Sequence, residues 1–191
     1  EHPDYGASLH ALAGVLSQQG KYSEAESLLR RSLTLKEKAL GREHPDYGTS
    51  LHALAGVLSQ QGNYSEAETL LRRSLAIYEK ALGSEHPSLC PTLTNLGLVL
   101  AQMGQVEPAT LLVARAYTLA QLTHGALHPD VGHILLVLAQ LQAQQALPEA
   151  VGTAEQAVAT LRSCLGPQHP VTQNAIRFHA KLLGSSGAKT S

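Results

Sequence analysis

Apolar residues in this chain recur with the period of a helix. After Pro45, the residues Leu51, Leu54, Ala55 and Leu58 fall on one face of a 3.6-residue spiral, which predicts an amphipathic helix. Pro45 suits its first turn, where a missing N–H costs nothing. Gly62 and Asn63 then break the helix. A second helix is predicted from about Ser65, with Glu66 and Glu68 near the positive end of its dipole. Leu70, Leu71, Ser74, Leu75 and Tyr78 carry its stripe on to Gly83, the expected C-cap. No segment alternates with period two, so no strand is predicted, and the expected class is all-α.

The same hairpin recurs along the chain. His-Pro stands at His2-Pro3, His44-Pro45, His86-Pro87, His128-Pro129 and His169-Pro170, at intervals of 42 residues and, for the last, 41. Residues 1–42 and 43–84 differ at seven positions, so they must fold alike. The expected divisions are repeats at 1–42, 43–84, 85–126 and 127–168, a closing helix over 169–183, and a disordered tail over 184–191. The fourth repeat is a residue short at its internal turn, Ala146-Leu147-Pro148. A hairpin cannot bury its own apolar face, whereas stacked hairpins can.

Four features carry a resemblance: His-Pro at the junction, Leu-x-x-Leu-Ala in the first helix, Gln-Gly-x-Tyr at the turn, and Glu-Ala-Glu-x-Leu-Leu in the second helix. The unit over 44–83 resembles the 42-residue tetratricopeptide repeats of kinesin light chains and nephrocystin-like ciliary proteins, and the likeness extends over 1–184. It implies a right-handed superhelix of antiparallel helix hairpins whose first helices line a concave groove for a partner protein. Kinesin light chains usually read Leu-Asn-Asn-Leu-Ala, with asparagines that hold a peptide backbone. Here the sequence reads Leu-His-Ala-Leu-Ala twice, and only Asn95 keeps an amide at the second place.

The stripe assigns Leu9, Leu12, Ala13 and Leu16 to the buried ridge of the first helix. The opposite register gives the groove positions. These are Ala7, His10, Ala11, Gly14 and Gln18 in the first repeat, and Thr49, His52, Ala53, Gly56 and Gln60 in the second. Pro91, Thr94, Asn95, Leu98 and Gln102 follow, then His133, Leu136, Val137, Gln140 and Gln144. The closing helix contributes Asn174, Arg177, Phe178 and Lys181. From these, His10, Gln18, His52, Gln60, Asn95, Gln102, Gln140, Asn174, Arg177, Phe178 and Lys181 are the candidate peptide-binding residues. Two cations flanking an aromatic fit an acidic or C-terminal carboxylate peptide, although Phe178 could instead tuck against the preceding helix. Gly14 and Gly56 cost about 1 kcal/mol each relative to alanine, which suggests close approach by either a neighbouring helix or a ligand. The glutamines could pair with a ligand backbone or simply face solvent.

Composition narrows the function. Aromatics are 4% of the chain, so the core is aliphatic and small. A net charge of -1 offers no global field for nucleic acid. No apolar run approaches the ~20 residues that span a bilayer, and no signal-peptide pattern opens the chain. The first residues fall inside a repeat, as expected of a piece of a longer protein. Cys90 and Cys164 form neither a disulfide framework nor a metal-ligand pair, as expected of reduced thiols in a cytoplasmic protein. His124, His128 and His133 lack a carboxylate or thiolate at ligand spacing. No phosphate-binding loop or nucleophile motif is present, so neither a cofactor nor an enzyme is expected. The expected function is an interaction module presenting its groove to a peptide or helix of a partner.

The alternative reading is self-association. Residues 1–84 hold nine Lys or Arg and ten Asp or Glu, against two and five over 85–168. The second helices over 109–121 and 149–165 are especially poor in charge; Val113 and Thr160 are probes of that face, although Val113 could instead be core. Such depletion marks either an interface core or a merely neutral surface.

Overall fold

Each repeat is built from a helix pair whose ends are fixed by local chemistry. The computed structural model describes residues 3–187, and the described residues contain helices and turns but no strand. They form two units, one ending at Met103 and the other starting at Gly104. The first holds α1 (Pro3–Gln18), α2 (Tyr22–Leu40), α3 (Pro45–Gln60), α4 (Tyr64–Leu82) and α5 (Cys90–Gln102). The second holds α6 (Val106–His124), α7 (Pro129–Gln144), α8 (Ala150–Leu165) and α9 (Pro170–Gly187). The closing helix therefore continues past residue 183. Of the expected tail, residues 188–191 lie outside those described, as does His2 of the first His-Pro pair.

The His-Pro dipeptides start helices in two ways at once. Proline fills the first turn, and the imidazole accepts a hydrogen bond from an otherwise unpaired backbone N–H, as an N-cap side chain does. His44 Nδ1 accepts from the Asp46 N–H at 3.1 Å, and His86, His128 and His169 repeat the bond at 3.2–3.3 Å. In the third repeat a 3-10 turn, Pro87–Leu89, precedes α5. The cause is Pro91, which has no N–H to bond back to residue 87 and whose ring crowds that carbonyl.

The turns inside hairpins close by a Schellman bond, Asn63 N–H to the Leu58 carbonyl at 2.8 Å, with Gly62 at φ 83°. The fourth repeat keeps this turn: Leu147 N–H reaches the Gln142 carbonyl at 2.9 Å, with Ala146 at φ 55° in the glycine's place. The missing residue is taken instead from the start of α8, which has 16 residues against 19 in α6.

In the first unit, α1 and α2 pack as one hairpin, α3 and α4 as another, and α2 lies against α3. Small residues allow the helices of a hairpin to approach. Ser32 and Ser74 are buried and donate to the carbonyls of Gly6 and Gly48 on the facing helix, at 2.7 and 2.8 Å. Leu51, Leu54, Leu58 and Leu71 fill the core around them. In the second unit α7 packs between α6 and α8, and α9 lies on α8. There Gly132 faces Leu161 so closely that an added Cβ would sit 2.7 Å from Leu161 Cγ.

The expected ridge is uneven along the chain. Leu54 is buried at 1% exposure, whereas its counterpart Leu12 is 50% exposed, because α2 covers α3 and no described helix covers that side of α1. Val113 and Thr160 are buried as well, so they are core residues and not part of an outer face.

Candidate functional site

On the first unit, the register opposite the core brings the first helices of the repeats to one face. His10, Gly14, Ser17 and Gln18 of α1, with Ala53 and Gly56 of α3, line a pocket of about 300 Å³, whose apolar lining includes Leu29 and Val57. A Cβ added to Gly14 or to Gly56 would meet no atom within 4 Å. Crowding by a neighbouring helix therefore does not account for these glycines. Ala11, Gln18, Gln60 and Gln102 are exposed along the same register.

The histidines of this face are less open than their register suggests. His10 is half-buried, and its Nδ1 lies 3.5 Å from the Ser50 hydroxyl of α3. Lys36 of α2 reaches the same hydroxyl at 2.8 Å and the Asp46 carbonyl at 3.2 Å. Burial first, and the nearby Lys36 ammonium second, hold the His10 pKa below its usual value. His52 turns into the joint between α3 and α5: Nδ1 is 3.0 Å from Thr92 Oγ1, and Nε2 is 3.1 Å from Asn95 Nδ2. Its pKa is also lowered, by burial and then by His10. Two histidines at equivalent places thus link each first helix to the next. The signal for Ser50 and Thr92 was the shared offset of 40 residues from His10 and His52, which acquires meaning only once the hairpins stack.

Outside this face, the first unit is laced by ion pairs. Arg30 joins Glu26 within α2 and Glu66 on α4, both at 2.8 Å, and Glu43 takes both Arg73 and Lys80. All lie at the surface, with side chains from a quarter to about seven-tenths exposed, and add little stability each.

The second unit presents a different face. Gln140 is half-buried and Gln144 and His133 are exposed, but Leu136 and Val137 are buried and line no open surface. On α9, Asn174, Arg177 and Lys181 are exposed, and Phe178 is half-buried. The His124 and His128 rings stack at 4.4 Å, and no group of three metal-ligating side chains occurs among the described residues. Leu111, Leu122 and Leu127 are 71–78% exposed. No helix among the described residues is long and apolar enough to cross a membrane.

A sequence model of the tetratricopeptide repeat family matches residues 4–80 and 48–121. No curated protein matches the chain. Among solved structures, the nearly identical TPR-like repeats of a Podosopora anserina protein described as a kinesin light chain are 31% identical, with a TM-score of 0.84 over 100% of this chain and 90% of that one. A second structure of those repeats, carrying a point substitution, matches equally. BtubC (BKLC) from P. vanneervenii shares the fold at 17% identity, with a TM-score of 0.73 over 96% of this chain and 82% of that one.

Proposed function

Because the chain belongs to the tetratricopeptide repeat family, whose repeats are protein–protein interaction scaffolds, we propose that its first unit holds a segment of a partner protein against α1 and α3. The observation that carries this reading is the pair Gly14 and Gly56. Each weakens its helix by about 1 kcal/mol relative to alanine, yet each faces open space beside the pocket. A ligand backbone passing close to the helices would use that space. Gln18, Gln60, Gln102 and Asn95 supply amides for its peptide groups, and His10 borders the pocket. On the second unit, Arg177 and Lys181 on either side of Phe178 suit an acidic segment, with Asn174 and Gln140 as further polar partners. A reducing cytoplasmic setting fits Cys90 and Cys164, neither of which is in a disulfide.

The test separates stability from binding. Gly56→Ala is expected to raise stability by up to about 1 kcal/mol in urea unfolding. Gly14→Leu with Gly56→Leu is expected to leave helicity intact and abolish capture of peptides selected from a random library against the wild type. A double variant that keeps those peptides would overturn the assignment of this groove. For α9, Arg177→Ala with Lys181→Ala should lower affinity for a polyglutamate peptide, and wild-type binding should weaken with salt; equal affinity at low and high salt would remove that site.

A second reading is favoured by one observation. At the outward positions of α6, Leu111 and Leu122 stand where the first repeat has Ser27 and Lys38 and the second has Thr69 and Lys80. The hairpin fold needs no leucine there, so an external contact, such as a second copy of the chain, is the use these residues fit.

A further inference from the structure

The bridge between α3 and α5 fixes more than the packing of two helices. An asparagine amide has two chemically opposite edges, a carbonyl that accepts and an NH₂ that donates. With Asn95 Nδ2 placed 3.1 Å from His52 Nε2, that ring nitrogen must be the acceptor. The ring proton then sits on Nδ1 and is donated to Thr92 Oγ1 at 3.0 Å. Asn95 Oδ1 is left without a partner among the described residues. It is not one of the buried, unpaired oxygens, which are those of Gln61 and Gln142, so it is open to solvent.

We propose that His52 is a positioning residue for Asn95, presenting the amide carbonyl outward while the ring is neutral and turning the NH₂ outward once the ring is protonated. A protonated imidazole donates from both nitrogens, so Nε2–H would require Oδ1 in place of the NH₂. Thr92 can accept from Nδ1 in either state, and the amide is the part that must rotate. The ligand edge of Asn95 is thereby converted from acceptor to donor, which changes the peptide group it can recognise.

The surroundings favour the neutral ring near pH 7. Of the groups on helices packed against α3, His10 of α1 acts directly on His52 and disfavours a second positive charge. Lys36 of α2 is engaged with Ser50 and the Asp46 carbonyl. Tyr78 of α4 is bonded to Thr49, and α5 brings only the neutral Thr92 and Asn95. No carboxylate contributes to holding a proton on the ring.

This inference rests on the reading of the first unit's face as a peptide site, but its test needs no ligand. Nitrogen-15 NMR of the free protein at pH 7.5 should show His52 as the Nδ1–H tautomer. As pH falls, the side-chain amide signals of Asn95 should move with the same midpoint as the His52 ring. In His52→Gln, whose side chain can accept but does not titrate, the Asn95 response should vanish. In Thr92→Val, which removes the partner of Nδ1–H, the ring should lose its preference for that tautomer. An Nε2–H tautomer at pH 7.5, or Asn95 signals indifferent to the titration of His52, would overturn the proposal. A role confined to packing would change stability in these variants without producing the shared midpoint. Failure of the groove itself is read separately, in the Gly14→Leu and Gly56→Leu variant.

Discussion

Ala146 occupies a left-handed turn, φ 55°, at the position filled by Gly20, Gly62 and Gly104 in the other repeats. The Cβ of an L-residue in that region crowds the following carbonyl and costs about 1–2 kcal/mol. Glycine would relieve the crowding but lose about 0.5–1 kcal/mol through the greater freedom of its unfolded chain. Ala146→Gly is therefore expected to stabilise the protein by about 0.5–1 kcal/mol, measured as a higher urea midpoint with unchanged slope. A lower midpoint would mean that Ala146 makes a contact worth more than its backbone strain. Glycines elsewhere in the chain have other roles. Gly132 is needed because Leu161 leaves no room for a Cβ, whereas Gly56 has open space around it. Sequence spacing marked Ala146 and Gly56 as exceptions but gave no sign of Gly132, and only the distances to their neighbours separate a turn, a close approach and an opening.

At the scale of the helix, identical local sequence does not give identical burial. Leu12 and Leu54 sit in the same run, Leu-His-Ala-Leu-Ala-Gly-Val-Leu, yet only Leu54 is covered. Leu54→Ala should cost roughly 2–5 kcal/mol, the range for a buried leucine cut to alanine. Leu12→Ala should cost less than half as much, and Gln60→Ala almost nothing, all by equilibrium unfolding. If Gln60→Ala proves the most damaging, the helix faces are assigned wrongly. The positions of α1 to α4 were legible because a 3.6-residue stripe, a breaking glycine and a capping His-Pro all agree. The faces of α6 and α8 were not, because alanine, valine and threonine lie on both sides and give little hydrophobic contrast. Thr160 was misplaced and Val113 left open between face and core for that reason, while Leu111 and Leu122 look like core residues by type yet are exposed. His52 was legible as a residue of the inner register. Its turn into the α3–α5 joint depends on Thr92 and Asn95, which only the stacking of the next repeat brings within reach.

At the scale of the whole molecule, the two units differ in chemistry, and two predictions follow from that. His10 and His52 belong to the first unit, and both have folded pKa values below the usual 6.5. The unfolded chain thus binds more protons than the folded one as pH falls through this range, and stability must fall with it. The contribution of these residues is complete above about pH 6.5 and is lost as pH drops through their lower folded values. Lowering the pH from about 7.5 to 5.5, still above the range of the carboxylates, should reduce the urea midpoint. The reduction should be smaller in a His10→Gln, His52→Gln double variant, and an equal reduction would assign the effect to other groups. The second unit carries the other surface feature, Leu111, Leu122 and Leu127 exposed in a region nearly free of charge. Scattered exposed leucines are ordinary, but two of these replace polar residues at one helical face, three turns apart, on α6. The helix carries one acid and one base beside these leucines, Glu107 and Arg115, each one turn from Leu111, so like-charge repulsion between two copies is weak there. Sedimentation equilibrium should show the apparent mass rising with concentration, and Leu111→Glu with Leu122→Glu should return it to the monomer value of 20.2 kDa without loss of helicity. The substituted residues point outward, so a loss of helicity is not expected from the change itself. A wild-type mass fixed at the monomer value across the whole concentration range would exclude self-association through this face.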